Sequence, residues 1–215
     1  SQERDDLTDN TTYLQELSSS RFAVTYPREL SVCFTKKTGD TGILINHGNS
    51  AGTSWTYRMR ISGNDLDCSE NGSLVVSVPL PGVSGSDRRF MAHWSTRVDG
   101  ADGRSELTVY NFDTDTWAHA FATHDPCTTD PTWDFNVGGY GAGTLAYDVQ
   151  DIDTVRVGIR FHSQAEARED WVDESTKPAI NGTLRQAALP IATGNDVGTV
   201  GDFAGPAYLW TGADS

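Results

Sequence analysis

Residues 133–171 read WDFNVGGYGAGTLAYDVQDIDTVRVGIRFHSQAEAREDW, and this stretch decides the fold. A short strand-like piece, Phe135–Val137, runs into a turn dense in glycine (Gly138, Gly139, Gly141, Gly143). An alternation follows. Ile152, Thr154, Arg156, Gly158 and Arg160 oppose Asp153, Val155, Val157, Ile159 and Phe161, and the second set is almost wholly apolar. Period two with one apolar face is the signature of a half-buried antiparallel strand, expected here over 152–161. Ser163 and Glu166 then stand at capping-box spacing, which predicts a short helix beginning near Ser163. Trp171 is placed to pack that helix onto a sheet.

The rest of the chain supports an all-β reading. The 215 residues include 21 Gly, which favours turns between many short strands. Aromatic residues at 10%, six of them Trp, can supply a core, so global disorder is not expected. The runs RFAVTY, LSVCFTK, GILINHG, WTYRMRIS and LVVSVPL are each bounded by Gly, Pro, Asn or Asp and read as strands. In the fourth, Trp55, Tyr57 and Met59 alternate with Thr56, Arg58 and Arg60. PGVSGSD (81–87) is a turn cluster and DPCTTDPTW (125–133) a loop punctuated by proline. Residues 1–20 are polar and acidic and read as an arm. Residues 173–215 carry the apolar pieces ALPIA and AYLW, which return a strand to the domain or cross to a neighbouring subunit, so a homo-oligomer stays open.

The net charge of −14 argues against nucleic acid, whose phosphates need Lys and Arg, and against docking on an anionic membrane. It suits solubility and cation binding. No apolar run approaches the length of a membrane-spanning helix, so no membrane insertion is expected. No secretory signal is visible at the N-terminus. Cys33 reads as a buried apolar residue, whereas Cys68 and Cys127 lie in polar surroundings and could pair. The three Asn-x-Ser/Thr sites, at Asn10, Asn71 and Asn181, read as chance.

The order of these pieces resembles the laminin-G-like domains, a group of concanavalin A-like jelly rolls. The resemblance rests on the strand and Gly-Gly-Tyr turn at 135–140, the I-D-x-V-R strand at 152–156 and the helix after Ser163. Upstream it extends to Trp94, Asp99 and Gly100 of a W-x-x-x-x-D-G strand, and to Leu107, Val109 and Tyr110 of the strand that follows. It implies an antiparallel two-sheet jelly-roll sandwich over 21–172 with one short helix near 163–172. It also implies a domain that binds other molecules, with calcium often held at the sandwich rim. The segment 173–215 departs from it as a C-terminal extension.

Catalysis on such a fold needs two carboxylates on one strand face. Asp151 and Asp153 share a face and Asp148 does not, but the resemblance places them in a non-catalytic closing strand. Arg58, Arg60, His93, Tyr110 and His119 offer lyase-type chemistry without a spaced motif. The calcium candidates are Asp99 and Asp102 in one loop and Asp113 and Asp115 in another, although such residues also simply form turns. The ligand-binding candidates are Trp117 and Trp133, suited to stacking a pyranose, with His124 and Asp125 nearby. The expectation is a non-catalytic recognition, adhesion or decorating module. Its expected setting is extracellular or on a virion, above all that of a bacteriophage, where it binds surface glycans or other virion proteins. A glycosidase or polysaccharide lyase on the same fold is the rival, and a secreted eukaryotic adhesion domain a third reading.

Overall fold

The computed structural model describes residues 22–49, 51–83, 87–128, 130, 132–139 and 151–168, together with the backbone of 14–16 and 208–211. Trp171, Asp148 and most of the 173–215 extension lie outside them. The described chain is an antiparallel two-sheet jelly-roll sandwich. Twelve strands form it: β1 (Leu14–Glu16), β2 (Arg28–Lys36), β3 (Gly42–Gly48), β4 (Trp55–Ser62), β5 (Asp65–Glu70), β6 (Ser73–Pro79), β7 (Arg88–Asp99), β8 (Asp102–Asn111), β9 (Thr116–His124), β10 (Asp134–Val137), β11 (Ile152–Gly158) and β12 (Tyr208–Thr211). Sheet A has the order β1-β10-β3-β4-β5-β6 and sheet B the order β12-β11-β2-β7-β8-β9. A single helical turn, α1, spans 164–168.

The alternation of each strand decides what it buries. Leu30, Val32 and Phe34 of β2 point inward beside Phe90, Ala92 and Trp94 of β7. They meet Tyr57, Met59, Leu66 and Cys68 from sheet A in one apolar core. In β11 the inward set is Ile152, Val155 and Val157, because a bulge between Ile152 and Thr154 shifts the register. The sequence alternation groups Ile152 with the polar set, and the bulge reverses that. Strand β11 also ends at Gly158, so Ile159 and Phe161 leave the sheet, with Ile159 largely exposed.

Three further differences from the sequence reading have local causes. Of RFAVTY, residues 22–26 form no strand and run as an irregular segment into a cis Tyr26–Pro27 bond. The strand through Leu107, Val109 and Tyr110 is followed, across a tight turn at 112–115 in which Asp115 takes positive φ, by β9, a strand the sequence reading does not mark. Strand β5 escapes notice because DLDCSE alternates acidic and small residues. Its inward Leu66 and Cys68 lie in the core; Cys68 and Cys127 are buried rather than in polar surroundings, and no disulfide joins them, while Cys33 is buried as the sequence reading expects.

One charge pair spans the sandwich. Arg28 is 1% exposed and projects inward from β2, where its guanidinium ion-pairs with Glu70 of β5. It lies 4.6 Å from the Tyr57 ring, 5.4 Å from Tyr26 and 5.5 Å from Trp94. Tyr26 donates its hydroxyl proton to the same carboxylate. A buried charge without a partner is costly, whereas an apolar pair of like volume is tolerated. Replacement of Glu70 by Ala is therefore expected to lower stability by about 3–5 kcal/mol in urea unfolding, and Arg28→Met with Glu70→Leu to recover most of it. Equal loss in the single and double variants would contradict this.

Candidate functional site

Two polar surfaces compete for a functional role, one on the outer side of each sheet. On sheet B, Glu29, Ser31, His93, Ser95, Glu106 and Thr108 all point away from the core, and all are buried. The segment 159–168 lies over them. His162 N donates to Ser95 Oγ at 3.1 Å and Gln164 N to Glu106 Oε2 at 3.2 Å. Ala167 of α1 is fully buried. The capping box forms as the sequence predicts: Ser163 N donates to Glu166 Oε2 at 2.7 Å, and Glu166 N lies 3.4 Å from Ser163 Oγ.

Under this segment Ser31 Oγ lies 2.7 Å from His93 Nδ1, and His93 Nε2 lies 2.9 Å from Ser95 Oγ. Glu29 meets Arg156, Arg160 and His162 at 3.3, 3.3 and 3.0 Å. Burial alone would raise the Glu29 carboxyl, but the adjacent His162 imidazole and the Arg156 guanidinium outweigh it and bring it to about 2. Burial holds the His93 ring down at about 4 despite the nearby Glu29 charge. Glu29, His93 and His162 bring ligand-type atoms within 4.8 Å of one another. Yet both His93 nitrogens face serine hydroxyls, and two guanidiniums already neutralise Glu29. A divalent cation here would sit against those charges. The cluster is a charge-satisfied clamp that ties 159–168 to the sheet.

The ligand-binding residues expected from sequence do not converge. Trp117 and His124 stand at opposite ends of β9. Trp117 lies 4.3 Å from the Tyr110 ring and beneath the Arg168 guanidinium at 4.6 Å. His124 Nε2 lies 2.9 Å from Ser105 Oγ, and its Nδ1 2.9 Å from the Asp125 carbonyl. It therefore belongs to the Glu70 end of the core. Trp133 precedes β10 in the other sheet. The calcium candidates form two distant pairs. Asp99 and Asp102 close the β7–β8 hairpin, while Asp113 and Asp115 follow β8 at its far end. Arg89 N donates to Asp113 Oδ2 at 2.8 Å and Tyr110 donates its hydroxyl proton to Asp115 Oδ1 at 2.9 Å. Asp151 pairs with Lys37 at 2.7 Å and Asp153 with Arg89 at 2.9 Å, so each carboxylate is tied to its own cation.

The outer face of sheet A is built differently. Asn136, Asn46, Arg58 and Ser69 form a row across four neighbouring strands. Asn46 and Asn136 have no exposed surface, and Arg58 is buried. Arg58 Nε donates to Asn46 Oδ1 at 2.9 Å, one terminal nitrogen donates to the Gly52 carbonyl at 3.2 Å, and the guanidinium lies 3.5 Å from the Trp55 ring centroid. A register shift between His47 and Gly48 lets Trp55 share a face with Arg58. Gly48 is required there, since a Cβ would come 2.5 Å from the Ser54 carbonyl and 3.1 Å from Asn46 Nδ2. Three buried polar atoms of this face, Asn46 Nδ2, Asn136 Oδ1 and Trp55 Nε1, have no hydrogen-bond partner among the described residues. Trp133 precedes Asp134, which pairs with Gly48, so it stands at the same end of the sheet as Trp55.

No protein-family model matches the chain, and no curated protein does. Among solved structures, the LG1-3 region of the laminin alpha2 chain is similar with a TM-score of 0.44 and 14% identity, covering 61% of this chain and 25% of that one. The chain thus spans about a quarter of the laminin chain's length. A toad ovary galectin in complex with thio-digalactose is similar with a TM-score of 0.33 and 8% identity, over 68% of this chain and 96% of that one. A congerin II variant follows with a TM-score of 0.24 and 12% identity, over 55% and 95%. The sandwich itself is established by strand order and register.

Of the sheet A residues, the sequence reading singled out Trp133 as a binding residue and Arg58 only as a lyase candidate. Asn46, Asn136 and Trp55 carried no signal, because an Asn inside an apolar run looks like an interruption until the sheet pairs it with another. The clamp on sheet B has a pH consequence. His93 stays neutral in the fold until pH nears 4, but when unfolded it takes a proton near its ordinary 6.5. Acid therefore favours the unfolded chain between those values, by about 1.4 kcal/mol per pH unit. Glu29 adds a loss between its ordinary 4.5 and about 2. Chemical denaturation across pH is expected to show this slope, and His93→Gln to flatten it between 6.5 and 4; an unchanged slope in that variant would refute the assignment.

Proposed function

We propose that the chain is a non-catalytic carbohydrate-binding module whose site is the outer face of sheet A, where β10, β3 and β4 meet. The observation that carries the reading is the set of unpartnered buried polar atoms on Asn46, Asn136 and Trp55, grouped around Arg58. A buried polar group left unpaired costs about 1–3 kcal/mol; Asn46 and Asn136 have no exposed surface, so a polyhydroxylated ligand recovers that cost by supplying donors and acceptors where the face opens to admit it. Half-buried Trp55 carries Arg58 on one face and offers the other to a pyranose ring, with Trp133 at the rim. Bidentate donors, amide groups and an aromatic platform are the usual means of fixing a sugar.

Binding without turnover is favoured by where the carboxylates lie. Glu29 and Glu106 sit beneath 159–168, while Asp151 and Asp153 are each paired with a cation. A glycosidase needs two carboxyl groups facing one accessible bond. The virus-particle setting belongs with this proposal and rests on the sequence; it requires that the chain be found by mass spectrometry among the proteins of purified particles, and consistent absence from them removes it.

A glycan array should identify bound oligosaccharides without product release. Trp55→Ala and Arg58→Ala are each expected to weaken binding about tenfold or more, the loss of a stacked ring or a charged hydrogen bond. Trp117→Ala should leave it unchanged. Binding that survives both sheet A substitutions and disappears with Trp117→Ala would move the site to sheet B.

A further inference from the structure

The sandwich has four sheet edges among the described residues, formed by β1, β6, β9 and β12. An edge strand exposes a row of unpaired N–H and C=O groups, and monomeric proteins blunt it with brevity, bulges, proline or charge. Three edges follow that rule. Strands β1 and β12 are three and four residues long. Strand β6 has a register shift opposite Cys68 and Ser69 and ends in Pro79. Strand β9 has none of these devices. Its nine residues, TWAHAFATH, pair with β8 in unbroken register, and they include no Lys, Arg, Asp, Glu or Pro. In a chain of net charge −14 a nine-residue edge without a fixed charge is conspicuous.

Both faces of this edge are suited to a copy of itself. Ala118, Ala120 and Ala122 pack from β9 against the core and are only partly buried. On the opposite face Phe121 is 66% exposed, with the His119 ring 6.4 Å away. Burial holds the His119 imidazole, next to Phe121 on this face, below its ordinary range.

We propose that β9 pairs antiparallel with β9 of a second copy, joining two B sheets into one continuous sheet across a twofold axis. The register is restricted by geometry. Hydrogen-bonded and non-hydrogen-bonded pairs alternate along an antiparallel ladder, so an axis of symmetry must pass through a residue facing its own counterpart. With the axis at Ala120, the middle of the strand, all nine residues pair. Ala118 then faces the partner's Ala122 and extends the core across the junction. His119 faces the partner's Phe121 twice, burying the exposed ring in a four-ring cluster. About nine main-chain hydrogen bonds form, a number typical of a whole protein interface. The two acidic chains repel at long range, and salt screens that repulsion without weakening the neutral edge.

Sedimentation equilibrium on the full chain tests this, independently of glycan binding. A two-chain species is expected at micromolar concentration, and its association should tighten with added salt. Phe121→Lys places a charge on the exposed face of the edge, where it disturbs no core contact. It is expected to weaken association about tenfold or more, while circular dichroism, and the unfolding midpoint measured at concentrations where both proteins are monomeric, stay unchanged. Leu74→Lys, at an equally exposed position on β6, should leave the dimer intact. A monomer at every concentration overturns the proposal, as does a dimer that Leu74→Lys breaks and Phe121→Lys does not.

Discussion

Two adjacent residues, Arg28 and Glu29, hold the sandwich together from opposite sides. Neighbours on a strand point to opposite faces, so one buried dipeptide places a cation inside the core and an anion outside it. Arg28 finds Glu70 on the facing sheet, which locks the two sheets at one end. Glu29 finds Arg156, Arg160 and His162, which hold the closing strand and the segment after it. A slip of β2 by one residue would exchange the two and leave both charges without a partner. Register along β2 is thus fixed by electrostatics as well as by Leu30, Val32 and Phe34.

That arrangement decides which surfaces are left for function. The middle of sheet B is covered on both sides, by the core within and by 159–168 without, and Ser31, His93 and Ser95 there answer one another. Ser31, His93 and Ser95 form a closed chain of hydrogen bonds, so each of these polar groups is answered by another and their catalytic appearance is structural. Sheet A carries, on Asn46, Asn136 and Trp55, buried polar atoms that neither a hydrogen bond nor an ion pair answers. The contrast between satisfied and unsatisfied buried groups separates a structural network from a binding face more sharply than residue type does.

Much of this was legible in the sequence, and the failures share a cause. The strand runs at 30–36, 42–48 and 55–62, the inward Val155 and Val157 of β11, and the Ser163–Glu166 cap agree with the structure, since each is a local rule with a local outcome. Bulges are not local in that sense. Simple alternation sends Trp55 inward with Tyr57 and Met59, and sends Ile152 outward with Thr154 and Arg156. One register shift beside Gly48 and another after Ile152 reverse both assignments. The first error hid the indole at the candidate site. Pairing between distant strands hid the rest, for nothing in the sequence announces that Asn46 lies beside Asn136 or that Trp117 is already engaged by Arg168.

The same reasoning explains why the candidate site sits where it does. A regular strand offers a flat, evenly alternating surface, and a sugar needs a platform and donors displaced from that alternation. The shift at His47 and Gly48 supplies the displacement by bringing Trp55 and Arg58 to one face with the loop at 51–54 folded against them through the Gly52 carbonyl. Asn49 braces that loop, accepting from the backbone N–H groups of Thr53 and Ser54 at 3.0 and 3.2 Å. Gly48 has no side chain because the carbonyl of Ser54 occupies the space. Any larger residue at 48 would push the loop off Arg58 and release the guanidinium from the indole. The glycine therefore shapes the candidate site without itself contacting a ligand.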